Sequence, residues 1–163
     1  IKQVDLFRIL LNDRLRTPMR PRIFQVSGAD VTERDLLSLM MPFRAEFDAV
    51  HAAVRDAADE LAMRCFRVDD IWHNDAVIQD VVSLIERSQI VVCDCTGKNP
   101  NVFYEAGIAH TMGRDVILIA QSADDIPFDL RPLRYVRYLN NNEGRATLHA
   151  HLVSRARTII GAS

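Results

Sequence analysis

The run Ile90-Val91-Val92-Cys93-Asp94-Cys95-Thr96-Gly97-Lys98-Asn99-Pro100-Asn101-Val102-Phe103-Tyr104-Glu105 decides the fold. Its first four residues are apolar without polar alternation, as in a strand buried on both faces. Val102 to Met112 follows with helical character. Asn99 suits an N-cap, and Pro100 suits the first helical position, where a missing N–H removes no bond. A carboxylate, Asp94, therefore stands where the strand ends, and Glu105 stands a turn or so inside the helix. In open α/β sheets, binding sites form at this edge, beyond the carboxyl ends of the strands.

The same alternation extends in both directions. Leu36 to Met41 reads as a first buried strand, stopped by Pro42. Phe43, Phe47, Val50, Val54, Ala57 or Ala58, and Leu61 recur at helical spacing. Cys65 to Val68 reads as a second strand, ending at Asp69-Asp70. Asp75 suits the cap of a helix whose buried face is Ile78, Val81 or Val82, and Ile85. Gly113 suits the end of the Asn101 to Met112 helix. Val116 to Ala120 is a fourth strand, Pro127 to Pro132 a turn-rich crossover, and Tyr135 to Leu139 a fifth strand. A last helix buries Leu148, Leu152, Val153, Ala156, Ile159 and Ile160. Strands and helices in turn, with right-handed crossovers, give a three-layer α/β sandwich of flavodoxin-like order, 2-1-3-4-5, with all five strands parallel.

Upstream, residues 1–34 read as a separate segment and 35–163 as the α/β domain. Val4, Phe7, Leu10 or Leu11, and Leu15 have helical spacing, and residues 16–22 read as a Pro- and Arg-rich linker. Ile23 to Val26 suits a short edge strand or a loop. The chain begins at Ile1 rather than Met, as a piece of a longer protein would.

At 163 residues, with 48% hydrophobic and 26% charged residues, the chain suits one globular domain with a real core. A net charge of −2 gives no electrostatic argument for a nucleic-acid partner. No apolar run approaches the roughly 20 residues of a membrane span. Cys65, Cys93 and Cys95 read as reduced core thiols of a cytoplasmic protein. The Cys93-x-Cys95 pair lacks further ligands at zinc spacing, so no metal is expected. Gly97-Lys98 lacks the rest of a P-loop, and no cofactor motif is present. Of the five histidines, His73 and His110 are expected near the strand-carboxyl edge, and His51, His149 and His151 on helix faces.

The topological switch between strands one and three should gather Met41, Pro42 and Phe43 from one exit and Asp94, Thr96 and Gly97 from the other. Asn99, Asn101 and Glu105 join them from the helix, and Asp69 and Asp70 flank the crevice. Carboxylates suit sugar hydroxyls, and a carboxylate nucleophile suits attack at an anomeric carbon. Asn101 and Glu105 are i and i+4 and share a face, so Asn101 can orient Glu105. The helix amino end should favour ionised Glu105. Each residue also has a plainer reading: Asp94 as a backbone-bonding loop residue, Asp69-Asp70 as a turn cap, Asn99 as a cap only, Lys98 and Glu105 as solvated side chains.

Met40-Met41-Pro42-Phe43, Phe47-Asp48-x-Val50, Arg67-Val68-Asp69-Asp70-Ile71, the run from Asp94 to Glu105 continued as Gly107-x-Ala109-His110, and Ile126-Pro127-Phe128-Asp129-Leu130-Arg131 together resemble nucleoside 2-deoxyribosyltransferase-like domains. These are related in architecture to TIR domains, and the resemblance covers roughly residues 36–140. It implies that Glu105, in its Glu-x-Gly-x-Ala context, attacks the anomeric carbon of a nucleoside, nucleotide or NAD-like ligand. It implies that Asp69, Asp70 and Asp94 hold base and sugar, and that the protein is a homo-oligomer. One position departs: Met-Met-Pro-Phe lacks the hydroxyl that the transferases place near the end of the first strand. Tyr104 is expected to point to a different helix face from Glu105. The departure favours hydrolysis of a nucleotide or of NAD, or ligand binding alone, over transfer; the non-Met start and the arginine–proline linker motivate the alternative of a non-catalytic nucleotide-sensing or TIR-like signalling module of a larger protein, such as a defence protein.

Overall fold

The computed structural model describes residues 22–27, 31–67 and 78–162. Five strands, β1 (Glu33–Met40), β2 (Arg64–Arg67), β3 (Ser88–Asp94), β4 (Asp115–Ala120) and β5 (Tyr135–Arg137), form one sheet in the order β2-β1-β3-β4-β5. Every pair is parallel. The connections carry the helices α1 (Asp48–Glu60), α2 (Ile78–Arg87) and α3 (Pro100–Thr111), and α4 (Asn142–Gly161) closes the chain.

The two-residue period of a strand sorts the core into two layers. Leu37, Leu39 and Met41, Ile90 and Val92, and Ile117 and Ile119 face α1 and α4, meeting Val50, Val54, Leu148 and Leu152. Leu36 and Met40, Val91 and Cys93, and Leu118 and Ala120 face α2 and α3, meeting Val82, Ile85, Val102 and Ala106. Both faces are covered, which is why β3 and β4 carry the apolar runs Ile90–Cys93 and Val116–Ala120 and the β1 run Leu36–Met40 is interrupted only by the buried Ser38.

The boundaries differ from expectation in ways that polar groups explain. β1 begins at Glu33, because its polar start is fixed by Arg64, which binds Asp35 at 2.7 Å and Glu33 at 2.5 Å. β5 ends at Arg137; Tyr138 leaves the strand to bond a carboxylate, and Leu139 is exposed. Ile160, expected in the core, is 41% exposed. Residues 23–26 form no strand. Phe24 and Val26 pack on the α2/α3 layer, and Gln25 exchanges two hydrogen bonds between its backbone and the Gln79 side chain. His51 lies in α1 as expected, on its buried side. His110 sits in the last turn of α3. That helix leaves the carboxyl end of β3 and runs back along the sheet, so His110 lies at the opposite edge from the one expected. The expected helix at 1–15, most of the 16–22 linker, His73, and the Asp75 cap lie outside the described residues.

Candidate functional site

Two local structures build the edge of the sheet where β1 and β3 end. The first is the loop after β3. Gly97 has φ 74° and Lys98 φ 55°, two successive residues in the left-handed region. The turn is pinned from across the edge: the Gly97 N–H donates to Asp125 Oδ1 at 3.0 Å. Asp125 is itself fixed in a capping box, its Oδ2 accepting the Ser122 N–H at 3.1 Å. Asn99 then caps α3, its side chain accepting the Asn101 N–H at 2.9 Å, with Pro100 following as expected from its missing donor.

The second is the β1 exit, where Met41 is buried and Phe43 is 62% exposed. The Arg67 guanidinium lies 5.7 Å from the Phe43 ring centroid, and Arg44 lies 5.9 Å from that of Phe47. Arg44 Nη2 comes within 3.6 Å of where a Cβ on Gly97 would stand, so the two exits touch.

Between them is a cavity of about 230 Å³. Met41 and Phe43 line it from the β1 side, Asn99, Asn101, Tyr104 and Glu105 from α3, and Ile78 and Val81 from α2. Most of the wall is apolar. Glu105 is the sole acidic residue on it among the described residues, and burial pushes its carboxyl from 4.5 up to about 7. The helix dipole does not hold it down. Asn99 is the N-cap, so Glu105 is in the second turn, past the reach of the terminal N–H groups.

Asp94 occupies a different place. It is fully buried and does not line the cavity. Its Oδ1 accepts the Thr96 N–H at 3.0 Å and the Thr96 hydroxyl at 2.5 Å, and its Oδ2 accepts the Tyr138 hydroxyl at 2.6 Å. Gln121 Nε2 donates to that tyrosine oxygen at 3.2 Å. Burial raises the Asp94 carboxyl, and the bonds from Thr96 and Tyr138 draw it part of the way back. The network ties the ends of β3, β4 and β5 together behind the loop that carries Gly97.

The structure thus brings Met41, Phe43, Asn99, Asn101 and Glu105 to one cavity. Pro42 joins two lining residues without lining the cavity itself, and Thr96 and Gly97 belong to the supporting loop. Asp69 and Asp70 lie outside the described residues. Tyr104, expected on another face, lines the same cavity as Glu105. The residues are 100° apart on the helix, and a cavity wide enough to hold a ligand spans both. Sequence reasoning missed Tyr138; its signal was a tyrosine at the end of an apolar strand, whose hydroxyl must find a partner once buried. Among the described residues no group of three His, Cys, Asp or Glu side chains could hold a metal ion, and no helix is long and apolar enough to cross a membrane. The Cys93 and Cys95 thiols are buried and raised, Cys95 to about 12, which keeps them unreactive.

No family model matches the chain, and no curated protein matches it in sequence. Among solved structures it is similar to the 2-desoxiribosyltransferase from Leishmania mexicana, with a TM-score of 0.53 and 14% identity, over 72% of this chain and 98% of that one. The domain therefore carries a deoxyribosyltransferase-like α/β fold.

Proposed function

We propose that this domain cleaves or transfers at the N-glycosidic bond of a nucleoside or nucleotide, with Glu105 as nucleophile. The observation that carries the reading is a single carboxylate in a mostly apolar cavity at the β1/β3 switch, flanked by the amides of Asn99 and Asn101 and the hydroxyl of Tyr104. Ligands of α/β sheets lodge at this position, and the fold is that of a protein named for deoxyribosyl transfer.

Ionised Glu105 attacks the anomeric carbon. The C–N bond breaks with its electron pair going to the base, which takes up a proton from water. The glycosyl ester is then resolved by water in hydrolysis, or by a second base in transfer. Positive charge on the ring in the transition state meets the carboxylate in a site poor in water, where the attraction is strong. Glu105 must be ionised to attack, so the rate rises with pH through about 7 and then levels. Asn101 and Tyr104 bound the reacting sugar. Asp94, with both oxygens engaged by Thr96 and Tyr138, is a positioning residue that fixes the loop. A cavity of about 230 Å³ lies below the roughly 300–1,000 Å³ of drug-sized sites, which favours one nucleoside unit over a dinucleotide such as NAD.

The test is a panel of nucleosides, nucleoside monophosphates and NAD, followed by chromatography for free base, with Glu105→Gln in parallel. Base release by the parent and its loss by at least a thousandfold in the variant is the expected result. Equal release by both proteins would remove Glu105 from the chemistry. No release from any compound would favour the sensing module.

A further inference from the structure

One edge of the sheet stands open. β5 is the last strand in the order and pairs with β4 alone. Tyr138, just past its end, donates its N–H to the Ala120 carbonyl at 3.0 Å. By the two-residue alternation of a strand, Val136 also turns its backbone groups toward β4, and Tyr135 and Arg137 turn theirs outward. The outward N–H and carbonyl groups of these two residues have no hydrogen-bond partner among the described residues.

A groove of about 290 Å³ lies beside this edge, between β5 and α4. Ile117 and Val136 give it an apolar wall, and Arg134 borders it just before the strand. His151, Arg155 and Thr158 line it from α4, at spacings of four and three that place them on one helix face. Both arginines and the histidine are exposed, and none has an ion pair or hydrogen bond with a described residue. No acidic side chain lines the groove among the described residues; Asp115, next in sequence to the lining Val116, is not part of the wall.

Charges on a short edge strand keep sheets from joining, and Arg134 and Arg137 serve that end: a second copy paired edge to edge would bring its own arginines against them. That role needs charge on the strand. It does not call for Arg155 and His151, which stand across the groove on α4. Cations on both banks of a groove, beside free backbone donors and acceptors, match an extended chain with carboxylates at every second residue.

We infer that the β5 edge takes up an extended acidic segment of another protein as an added strand. Its backbone bonds Tyr135 and Arg137, and its alternate carboxylates lie in the groove against Arg134 and Arg155. The main chain supplies affinity and the alternate side chains supply specificity. A nucleic acid offers charge for the same cations but no strand for the edge. The surface is two strands away from β3 and does not depend on the glycosidic reading.

The experiment is fluorescence anisotropy with a labelled acetyl-Ser-Glu-Val-Glu-Val-Glu-Ser amide and its Gln-for-Glu and Lys-for-Glu counterparts. The Glu peptide should bind about tenfold or more tighter than the Gln peptide, and salt should narrow the gap. The Lys peptide should not bind. N-methylation at the Glu positions, or at the Val positions, removes the amide donors from one side of the strand at a time. One of these two peptides should lose binding and the other keep it, since a single row of amides meets β5. Arg134→Glu and Arg155→Glu should each weaken the Glu peptide about tenfold, and the double variant should bind the Lys peptide instead, which a misfolded protein would not do. Absent binding, equal binding of the Glu and Gln peptides, or indifference to both methylation patterns would overturn the inference. Tighter binding of a labelled oligothymidylate of equal charge would also overturn it, giving the cations to nucleic acid. So would a dimer, seen by sedimentation, that the same substitutions alter, since the edge would then belong to a second copy.

Discussion

At the scale of single residues, the site is governed by what each carboxylate finds around it. Asp94 and Glu105 leave the same strand–helix unit, and burial raises both. Asp94 is compensated by three hydrogen bonds, so it can remain a fixed structural anion. Burial alone raises Glu105, so its charge is held in reserve until a cationic sugar or a rise in pH favours it. That reserve weakens the fold. A raised folded-state value means that between about pH 4.5 and 7 the native state holds a proton that the unfolded chain has lost, so stability falls as pH rises through this window. At 1.36 kcal/mol per unit the loss above pH 7 is on the order of 3–3.5 kcal/mol. Glu105→Gln should therefore unfold at a higher denaturant concentration than the parent at pH 8 and at nearly the same one at pH 4, while losing activity at both. Equal stability at pH 8 would mean that the carboxylate is solvated in the native state, and the nucleophile argument would lose its electrostatic basis.

At the scale of elements, the site depends on how the strand exits are tied to one another. β5 contributes three residues to the sheet, yet Tyr138 just beyond it reaches Asp94 at the end of β3. Tyr138→Phe deletes a bond to a buried charged group and should cost about 1.5–3 kcal/mol, measured by urea unfolding. It should also lower kcat, by loosening the loop that leads into α3. A change below about 0.5 kcal/mol would show that Thr96 alone satisfies Asp94. The start of α4 is equally constrained. A Cβ on Gly144 would stand 2.1 Å from the Leu139 carbonyl oxygen, while the Gly144 N–H is held at 2.7 Å by the Asn141 cap. Gly144→Ala must push the helix from the β5 exit, and a loss of about 1–3 kcal/mol is expected, as for other overpacked sites; a neutral result would show that this end of α4 moves freely. These ties explain what could be read beforehand. β1, β3 and β4 announce themselves because burial on two faces leaves mostly apolar residues in their middles, and Asn99-Pro100 and Gly113 punctuate α3 through backbone chemistry that is local. The Tyr138–Asp94 bond spans 44 residues and has no local signature. That Tyr104 and Glu105 meet one cavity was hidden for a related reason: helical angle fixes direction and sets the two 100° apart, but the width of a cavity is a property of the neighbouring strand exit.

At the scale of the whole molecule, opposite edges of the sheet respond oppositely to pH. The amino edge carries Glu33 and Asp35 against Arg64, with Arg87 also on Glu33 at 3.0 Å. Hydrogen bonds from Arg64 hold both carboxyls below their ordinary values, 4.5 for Glu33 and 3.8 for Asp35. Lowered acids stabilise the fold above their unfolded values, and that contribution disappears as pH falls through the folded ones. The carboxyl edge carries the raised Glu105 and the raised Asp94, whose contributions decline as pH climbs. The two trends bracket a maximum near pH 4.5–5, at the acid end of the roughly pH 5–8 interval in which most proteins are most stable. Exposure weakens the amino-edge term, so the acid limb should be shallow and the alkaline limb the steeper one. Urea midpoints taken from pH 3 to 9 should therefore peak near pH 5 and fall through 7, while base release climbs over that same interval. Arg64→Gln should flatten the acid limb, and Glu105→Gln the alkaline limb. A parent protein more stable at pH 8 than at pH 5 would contradict the burial of an uncompensated Glu105. If the two limbs instead behave as expected, the conditions that favour catalysis are those that strain the fold.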